Sequence, residues 1–446
     1  MTDVQQVSGH EIGRERAMSS APIPTFSEAL GVWARIGLTS FGGPAGQIAL
    51  MHRILVDEKK WLDEKNYLLA LNFCTLLPGP EAMQLATYSG WRLHGVKGGL
   101  AAGLLFVLPG AVIVLALSWL YALYGAVPTV TALFTGIKAA VLAIVIEALF
   151  KISKRSLRDG SEWVVAGLSF IGIFFLKIPF PIIILAAGLF GYWRSSGAVV
   201  ELDQSSSLPV RKRDTLTTIL LWSAIWLAPL VTVALIFGSD HVLAKLAMFF
   251  AQLAIVTFGG AYAVLAYMAQ DVVQLHGWLQ PGEMLDGLGL AETTPGPLIL
   301  VTEFVGFLAA FRQSDGSPFV MGLLGALVTL WATFVPSFMF IFAGAPYIEK
   351  LKSAPKLKGA LSAITAAVVG VILNLSVWFA FHVLFRQVDS YQLGPLQFAV
   401  PELTTIDWTV ASLALLAALL IFVLHRGVIT TLAICGALSL AVLQFI

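Results

Sequence analysis

Leu77-Pro78-Gly79-Pro80-Glu81 stands in the middle of an apolar segment that runs from Tyr67 to about Trp91. Two prolines around a glycine cannot continue an α-helix, because each proline lacks a backbone N–H and clashes with the preceding turn, and the glycine permits a positive φ. A second copy, Thr294-Pro295-Gly296-Pro297, interrupts the apolar segment from Met284 to Phe311. In lipid such a break is tolerated only where the freed backbone groups face protein or a wet cavity. The paired breaks are therefore candidate binding sites.

The composition places these breaks in a membrane protein. Of the 446 residues, 58% are hydrophobic and 12% are charged, and the mean hydropathy is +0.86, whereas soluble domains carry about 25% charged residues. The apolar runs have the length of helices that cross a bilayer, and the short alternating strands of an outer-membrane barrel do not occur in the pattern. We predict an all-α integral membrane protein with the lipid bilayer as its surroundings.

Motifs for metals, cofactors and enzymatic chemistry do not occur in the sequence. Cys74 and Cys435 lie in apolar segments without metal-ligand spacing, so we interpret them as core residues. The sequence has no phosphate-binding loop, no zinc-protease motif and no nucleophile-elbow motif. We therefore expect no metal, no cofactor, no nucleic-acid partner and no enzyme, and any transport must draw on an ion gradient or the membrane potential.

The two halves of the chain are similar to each other. Phe41-Gly42-Gly43 and Phe258-Gly259-Gly260 are 217 residues apart (258 − 41), and the same offset relates the two Pro-Gly-Pro motifs. Beyond an insertion the offset becomes 227 residues (336 − 109), which pairs Pro109 with Pro336. This register predicts a fused duplication.

The basic loops indicate that the second half is inverted, because cytoplasmic loops of membrane proteins carry an excess of lysine and arginine. In the first half the loop between the two long spans, from Tyr121 to Thr131, has no basic residue, and the loop after them, from Lys151 to Arg158, has four. In the second half the loop between the long spans contains four lysines, and the loop after them is acidic. One additional span, from Leu216 to Phe237, supplies the crossing that an inversion requires.

These observations predict broken or re-entrant helices in each half. We expect about nine full spans plus four re-entrant elements. If the broken elements cross the membrane instead, the count is about 10 to 13 spans. Re-entrant elements keep Lys60 on the cytoplasmic side, and a topology assay that placed Lys60 outside would contradict them. The predicted parts are a cytoplasmic N-terminal tail (1–25), a first transporter repeat (26–193), a polar cytoplasmic linker (194–214), a connecting transmembrane helix (215–241) and a second, inverted repeat (242–446).

Broken helices in matching positions of inverted repeats are typical of the central site of a secondary transporter. Half-helices that begin after Pro80 and Pro297 would present free N–H groups and a positive dipole end, which favours an anion. The alternatives are that the Pro-Gly-Pro motifs only kink helices and that the Phe-Gly-Gly motifs only let helices pack closely; Tyr262 is a further donor near the second motif. The predicted substrate-binding residues are Arg35, Phe41, Gly42, Gly43, Gln47, Pro78, Gly79, Pro80, Lys138, Phe258, Gly259, Gly260, Thr294, Pro295, Gly296 and Pro297.

Ionisable residues inside apolar segments cost about 2.5 to 3.5 kcal/mol each on insertion scales, so they tend to face a cavity. Glu81 directly follows the first Pro-Gly-Pro motif, and Glu292 lies shortly before the second. We predict these two, followed by Glu303 and Glu147, as proton-coupling groups. For each residue taken alone, a structural ion pair or a side chain that reaches the membrane surface is the alternative.

At these motifs the sequence resembles the chromate ion transporter family in its long, two-domain bacterial form. The resemblance covers nearly all of residues 26–446 and rests on Phe41-Gly42-Gly43-Pro44 with Gln47, the first Pro-Gly-Pro motif, Phe258-Gly259-Gly260-Ala261, and Thr294-Pro295-Gly296-Pro297 with Gly306. It implies a multi-pass protein of the bacterial inner membrane, with a cytoplasmic N-terminus, that exports chromate with the proton motive force and confers chromate resistance. Sulfate is the structural analogue of that substrate.

The residues alone, without the resemblance, indicate only an anion transporter. Uptake or exchange of sulfate or another anion is the first alternative, and a membrane enzyme or receptor with a buried polar pocket is the second. The sequence leaves the oligomeric state open, and a homodimer is one of the assemblies compatible with it.

Overall fold

The computed structural model describes residues 24–195, 212–256, 258, 261–314, 316–348, 355–394 and 396–443. Within these ranges the chain forms sixteen α-helices and one small β-hairpin. Five helices are long and apolar enough to cross a membrane, and five more are apolar but shorter. The prediction of an all-α integral membrane protein is confirmed, whereas the number of crossings and the inversion of the repeats stay predictions.

The first half contains seven helices. They are α1 (Phe26–Thr39), α2 (Gly43–His52), α3 (Glu64–Cys74), α4 (Glu81–Tyr124), α5 (Pro128–Ser156), α6 (Gly160–Phe174) and α7 (Phe180–Arg194). A π-helical turn, Arg53–Glu58, follows α2.

The second half contains nine helices. They are α8 (Lys212–Phe237), α9 (Val242–Val256), α10 (Ala261–Gln270), α11 (Pro281–Thr293), α12 (Val301–Arg312), α13 (Pro318–Gly344), α14 (Pro355–Leu384), α15 (Trp408–Ala418) and α16 (Val428–Leu443). The shorter elements are π-helical turns at Asp271–Leu275 and Leu419–Val423, 3-10 turns at Leu298–Leu300, Ala345–Tyr347 and Leu403–Thr405, and the strands β1 (Val388–Leu393) and β2 (Leu396–Pro401).

Short polar residues fix the starts of several helices, because their side chains satisfy N–H groups that the first turn leaves free. Asp63 accepts a hydrogen bond from Asn66 N at 2.7 Å at the start of α3. At the start of α6, Asp159 accepts from Glu162 N at 3.0 Å and Glu162 accepts from Asp159 N at 3.2 Å. This reciprocal capping box positions α6 after the basic loop.

The element order repeats between the halves. In each half a helix, a break, a second helix and a π-helical turn are followed by a third helix, a Pro-Gly-Pro break and a fourth helix. Two long helices and two shorter helices then complete the half. In the first half, the fourth helix and the first long helix are the two parts of α4, which is kinked at His94 and Gly95. The additional helix α8 lies between the two sets and packs on α13, where Trp226 Nε1 donates to Ala332 O at 3.0 Å.

The 44-residue helix α4 is two antiparallel arms rather than one rod. His94 and Gly95 have non-helical backbone angles, and Gly95 has a φ of 62°. The arms contact each other so closely that a side chain at Gly90 would overlap the carbonyl group of Gly98. In the second half α12 and α13 make the same kind of contact between Gly306 and Gly325. Small residues allow this close approach of helices in membrane proteins.

Each half completes its packing with helices of the other half. The helices α6 and α7 of the first half pack on α14 of the second, and α15 and α16 of the second pack on α5 of the first. Small residues again mark the contacts, because Gly191 meets Gly359 and Gly136 meets Cys435 with no room for a side chain. The halves are thus interlocked around one main apolar core and a small second cluster that includes Ala166 and Ala366.

One segment differs from its prediction. The residues between α14 and α15 were expected to form an acidic loop, but β1 and β2 form an antiparallel hairpin. Gly394 has a φ of 61° at the turn, and Gln397 N donates to Phe175 O at 2.8 Å, which ties the hairpin to the loop between α6 and α7. Most of the predicted linker, together with Gly259 and Gly260, lies outside the described residues.

Candidate functional site

The second Pro-Gly-Pro break is bound directly by the first half of the chain. Gly296 has a φ of 94°, and its N–H donates to Ser40 O at 2.9 Å. Gln47 Nε2 donates to Gly296 O at 2.5 Å and to Ser40 O at 3.4 Å. Gln47 is 1% exposed. The structure therefore brings together two of the motifs that the sequence singled out, one from each half.

Two helices begin at this junction. The helix α2 begins at Gly43, directly after Gly42, which has a φ of 84°. After Pro297 the chain passes through the 3-10 turn Leu298–Leu300 into α12. A helix N-terminus carries the equivalent of about half a positive charge and free N–H groups, so two of them at one place favour an anion. We call the place where Ser40, Gln47 and Gly296 meet the cross-half junction.

A half-buried tyrosine and a buried glutamate lie beside the cross-half junction. A side chain at Gly43 would come within 3.8 Å of Tyr262 Oη. The Tyr262 hydroxyl donates to Glu292 Oε1 at 2.9 Å, and Glu292 is 4% exposed. Glu147 on α5 is near enough to interact electrostatically with Glu292. The structure therefore places a predicted coupling residue close to the predicted substrate-binding residues.

The first Pro-Gly-Pro break is held differently. Gly79 has a φ of 113°, and Gln84 Nε2 donates to Pro78 O at 2.6 Å within the same half. A side chain at Gly79 would lie 2.8 Å from Ser337 Oγ on α13. Gly110 on α4 is the residue equivalent to Ser337, and a side chain at Gly110 would overlap the carbonyl oxygen of Pro295 in the second break. Each break therefore packs against the long helix of the opposite half, next to its internal proline.

Two further predicted carboxylates follow the breaks. Glu303 is 1% exposed, and its Oε2 has no hydrogen-bond partner among the described residues. Glu81 is the first residue of α4 and is half-buried. Phe258 is also half-buried. Glu303 is thus deep in the protein, whereas Glu81 is more accessible.

Two predicted ionisable residues form ion pairs with neighbours that are not part of the cross-half junction. Arg35 is exposed and lies 3.6 Å from Glu58. Glu147 pairs with Lys151 one turn along α5, at 2.6 Å. A structural ion pair was the alternative to a functional role for each of these residues, and the structure contains such pairs.

Lys138 pairs with Asp286, a residue that the sequence reasoning missed. Lys138 Nζ lies 3.3 Å from Asp286 Oδ1, and the Tyr121 hydroxyl donates to Asp286 Oδ2 at 2.7 Å. Asp286 is 4% exposed. Its position in the apolar segment from Met284 to Phe311 is the same signal that pointed to Glu292, and applying it to every acidic residue of that segment would have found it.

The arrangement defines a class of protein: a helical membrane protein whose two interlocked halves contribute broken helices to one interior junction. The chain belongs to the chromate transporter family. The family model described as "Chromate transporter" matches residues 27–192 and 244–440.

Relatives with similar sequences carry names from the same family. The chain is 33% identical to the chromate transport protein of Pseudomonas aeruginosa over 85% of this chain and 86% of that protein. It is 29% identical to the chromate transport protein of Cupriavidus metallidurans, over 82% and 85% respectively. It is 31% identical to a probable chromate transport protein of Synechococcus elongatus, over 77% and 81%. No solved structure matches the chain.

Proposed function

We propose that the chain is a secondary active transporter that exports chromate, a sulfate-like tetrahedral oxyanion, across the bacterial inner membrane and thereby confers chromate resistance. The names of the relatives support the substrate. Outward movement of a dianion is favoured by an inside-negative potential, by about 2.3 kcal/mol per charge per 100 mV. The cytoplasmic N-terminus and the inverted repeats belong to the same proposal and rest on the distribution of lysine and arginine.

The observation that carries this proposal is the cross-half junction. Gln47 and Ser40 of the first half hold Gly296 of the second half; α2 begins three residues after Ser40 (43 − 40), and α12 begins five residues after Gly296 (301 − 296). Breaks at the interface between repeats are where transporters bind their substrates, since movement of one half against the other then exposes the site to alternate sides. The two helix N-termini supply a positive field without a dedicated arginine or lysine. We infer that the oxyanion binds there.

The electrical part of the proton motive force drives the dianion outward in this proposal, and Glu292 is where protons would act on anion binding. A buried carboxylate beside a dianion is unfavourable when it is ionised, because two like charges would share a site of low dielectric constant. A proton on Glu292 removes that repulsion, and Tyr262 holds the side chain in place through its hydrogen bond. Glu292 is therefore the group that we propose to link proton binding to anion binding. Glu81, Glu303 and Glu147 remain further candidates, and Arg35 and Lys138 remain candidates to offset the charge of the anion.

Anion flux in vesicles tests the proposal. The purified chain is reconstituted, a proton gradient is imposed, and the movement of chromate, sulfate and molybdate is followed in each direction against protein-free vesicles. We expect proton-dependent flux that is largest for chromate or sulfate. Absence of flux for all three oxyanions would contradict the transporter proposal, and flux without any dependence on the proton gradient would contradict the coupling.

A further inference from the structure

A polar cavity lies away from the cross-half junction, beneath the β-hairpin. Its volume is about 460 Å³, and it is enclosed by α10 with the π-helical turn after it, by α14, by the loop between α6 and α7, and by the hairpin strands. Both halves of the chain therefore contribute to it. On the predicted topology it opens on the side of the membrane opposite the lysine-rich loops.

The lining of this cavity is rich in hydrogen-bond donors. Lys177 supplies a positive charge, Gln270, Gln274 and Asn374 supply amides, and no aspartate or glutamate is among the described residues that line it. Trp378 also lines the cavity, and its buried indole Nε1 has no hydrogen-bond partner within the described part of the chain. Asp271, adjacent to Gln270 in sequence, interacts with Tyr267 instead. A cavity with one cation, several N–H donors and no carboxylate suits an anion.

The backbone at Lys177 supports a role in binding. Lys177 has a φ of 51°, which is uncommon for a residue with a side chain and tends to occur at functional positions. Its Nζ lies 6.0 Å from the ring centre of Phe174, and the neighbouring Phe175 carbonyl is held by the hairpin through Gln397 N. The loop is thus held in the conformation that brings Lys177 to the cavity.

The helix α10 connects the cavity to Tyr262, which lies beside the cross-half junction. Ala266, Ala269 and Gln270 line the cavity, and Tyr262 lies one turn before Ala266 on the same helix face. About 12 Å of helix separates Tyr262 from Gln270, and Leu265, Ala266 and Ala269 lie between them on or beside this face. Tyr262 in turn donates to Glu292.

A larger cavity at the other end of the helices has a different lining. Its volume is about 620 Å³, and it is lined by Asp159 and Glu162 as well as by Arg194 and Lys358. Hydrogen bonds from Ser161 and from the backbone of Glu162 lower the pKa of Asp159 to about 2, so its carboxylate stays charged. Mixed charge of this kind does not favour an oxyanion, which distinguishes the two cavities.

We propose that the cavity beneath the hairpin is a second binding site for the oxyanion, occupied by the hydrated dianion on its way between the aqueous phase and the cross-half junction. Lys177 supplies the charge, and the amides of Gln270, Gln274 and Asn374 supply neutral hydrogen bonds. This inference rests on the proposed transport of an oxyanion. The phosphate of an anionic lipid has the same chemistry and is the competing occupant.

Thiol labelling tests the site without depending on transport. Gln274 is exposed, and the two native cysteines are fully buried, so a Gln274→Cys variant is expected to react selectively with a negatively charged thiol reagent. In vesicles of phosphatidylcholine we expect sulfate to slow the labelling. Adding Lys177→Gln is expected to raise the half-protecting sulfate concentration about tenfold. Lys245→Gln, at an exposed lysine outside the cavity, is the matched control and is expected to leave it unchanged.

Two sets of labelling results would overturn the proposal that the cavity binds the oxyanion. Equal protection by sulfate with Lys177→Gln and Lys245→Gln, or no protection at all, would show that the cavity does not bind the oxyanion. Protection that appears without sulfate once phosphatidylglycerol is added, and to which sulfate adds nothing, would assign the cavity to a lipid headgroup. Failure of the reconstituted wild-type chain to transport chromate would contradict the proposed function instead. The two failures are distinguishable because thiol labelling requires no transport.

Discussion

The two Pro-Gly-Pro breaks share a backbone conformation but differ in what holds them. Gly79 and Gly296 both have positive φ, at 113° and 94°. Beside Gly79 the carbonyl of Pro78 accepts from Gln84 of the same half, whereas both backbone groups of Gly296 are bound by Ser40 and Gln47 of the other half. The second break therefore links the halves through hydrogen bonds, and the first does not.

The side chains that distinguish the breaks have no counterparts at the equivalent positions. At the offset of 217 residues, Gln47 corresponds to Val264, Gln84 to Val301, and Glu81 to Leu298. Glu292 and Glu303, which flank the second break, are buried, whereas Glu81 at the first is half-buried. Duplication accounts for the shared backbone, and later substitutions account for the chemistry. We infer that the second break carries the binding and coupling functions.

The largest expected effect is that of Gly110→Ala, which acts on the second break through its packing. The added methyl group would overlap the backbone carbonyl of Pro295 and lie 2.6 Å from Leu300 Cδ1. Backbone cannot give way as a flexible side chain can, so we expect a loss of about 1 to 3 kcal/mol of stability or more and loss of anion flux. Thermal unfolding and vesicle flux measure the two effects.

Gly167→Ala is the matched control for that substitution, because nothing lies within 4 Å of its added methyl group on the exposed face of α6. It should leave flux intact and stabilise the helix slightly. Ser337→Ala, at the position equivalent to Gly110, should also be mild, since it removes atoms beside Gly79. Wild-type flux from Gly110→Ala would contradict the packing of the second break.

A smaller effect is expected for coupling when Glu292→Gln is compared with Glu81→Gln. Coupling free energies of about 1 to 3 kcal/mol correspond to about 5- to 150-fold effects of one ligand on another. We expect the acceleration of wild-type flux by a proton gradient to disappear in Glu292→Gln, while exchange of anion for anion persists, and to survive in Glu81→Gln. If Glu292→Gln abolished anion exchange as well as proton-accelerated flux, the role of Glu292 would be structural. If only Glu81→Gln lost the proton acceleration, proton coupling would belong to the first break.

Much of this architecture could be predicted from the sequence because it follows from local chemistry. Pro-Gly-Pro cannot be helical, and the lengths of apolar runs indicate membrane helices, so the breaks and the class of fold were accessible. The hairpin was not, because its strands are short and partly exposed and are fixed by a contact between Gln397 and Phe175. A contact of that kind is made only in the folded chain.

The candidate site was predictable in its parts but not in its pairing. Gln47 and Gly296 were both singled out, but nothing in a register of equivalent residues shows that a motif of one half binds the non-equivalent motif of the other. For Asp286, burial was implied by the apolar segment around it, but its pairing with Lys138 was not. Partners distant in sequence decide which ionisable group is paired and which is available.

The central claim is that the oxyanion binds at the cross-half junction, and sulfate affinity of the purified chain with Gln47→Leu and Gln84→Leu tests it most directly. Both substitutions remove one buried amide and leave one backbone carbonyl unpaired, so their costs in stability should be similar, at about 1 to 3 kcal/mol. We predict that Gln47→Leu weakens sulfate binding by about tenfold or more, whereas Gln84→Leu changes it by less than about twofold. Equal weakening by the two substitutions, or a larger loss with Gln84→Leu, would contradict the account.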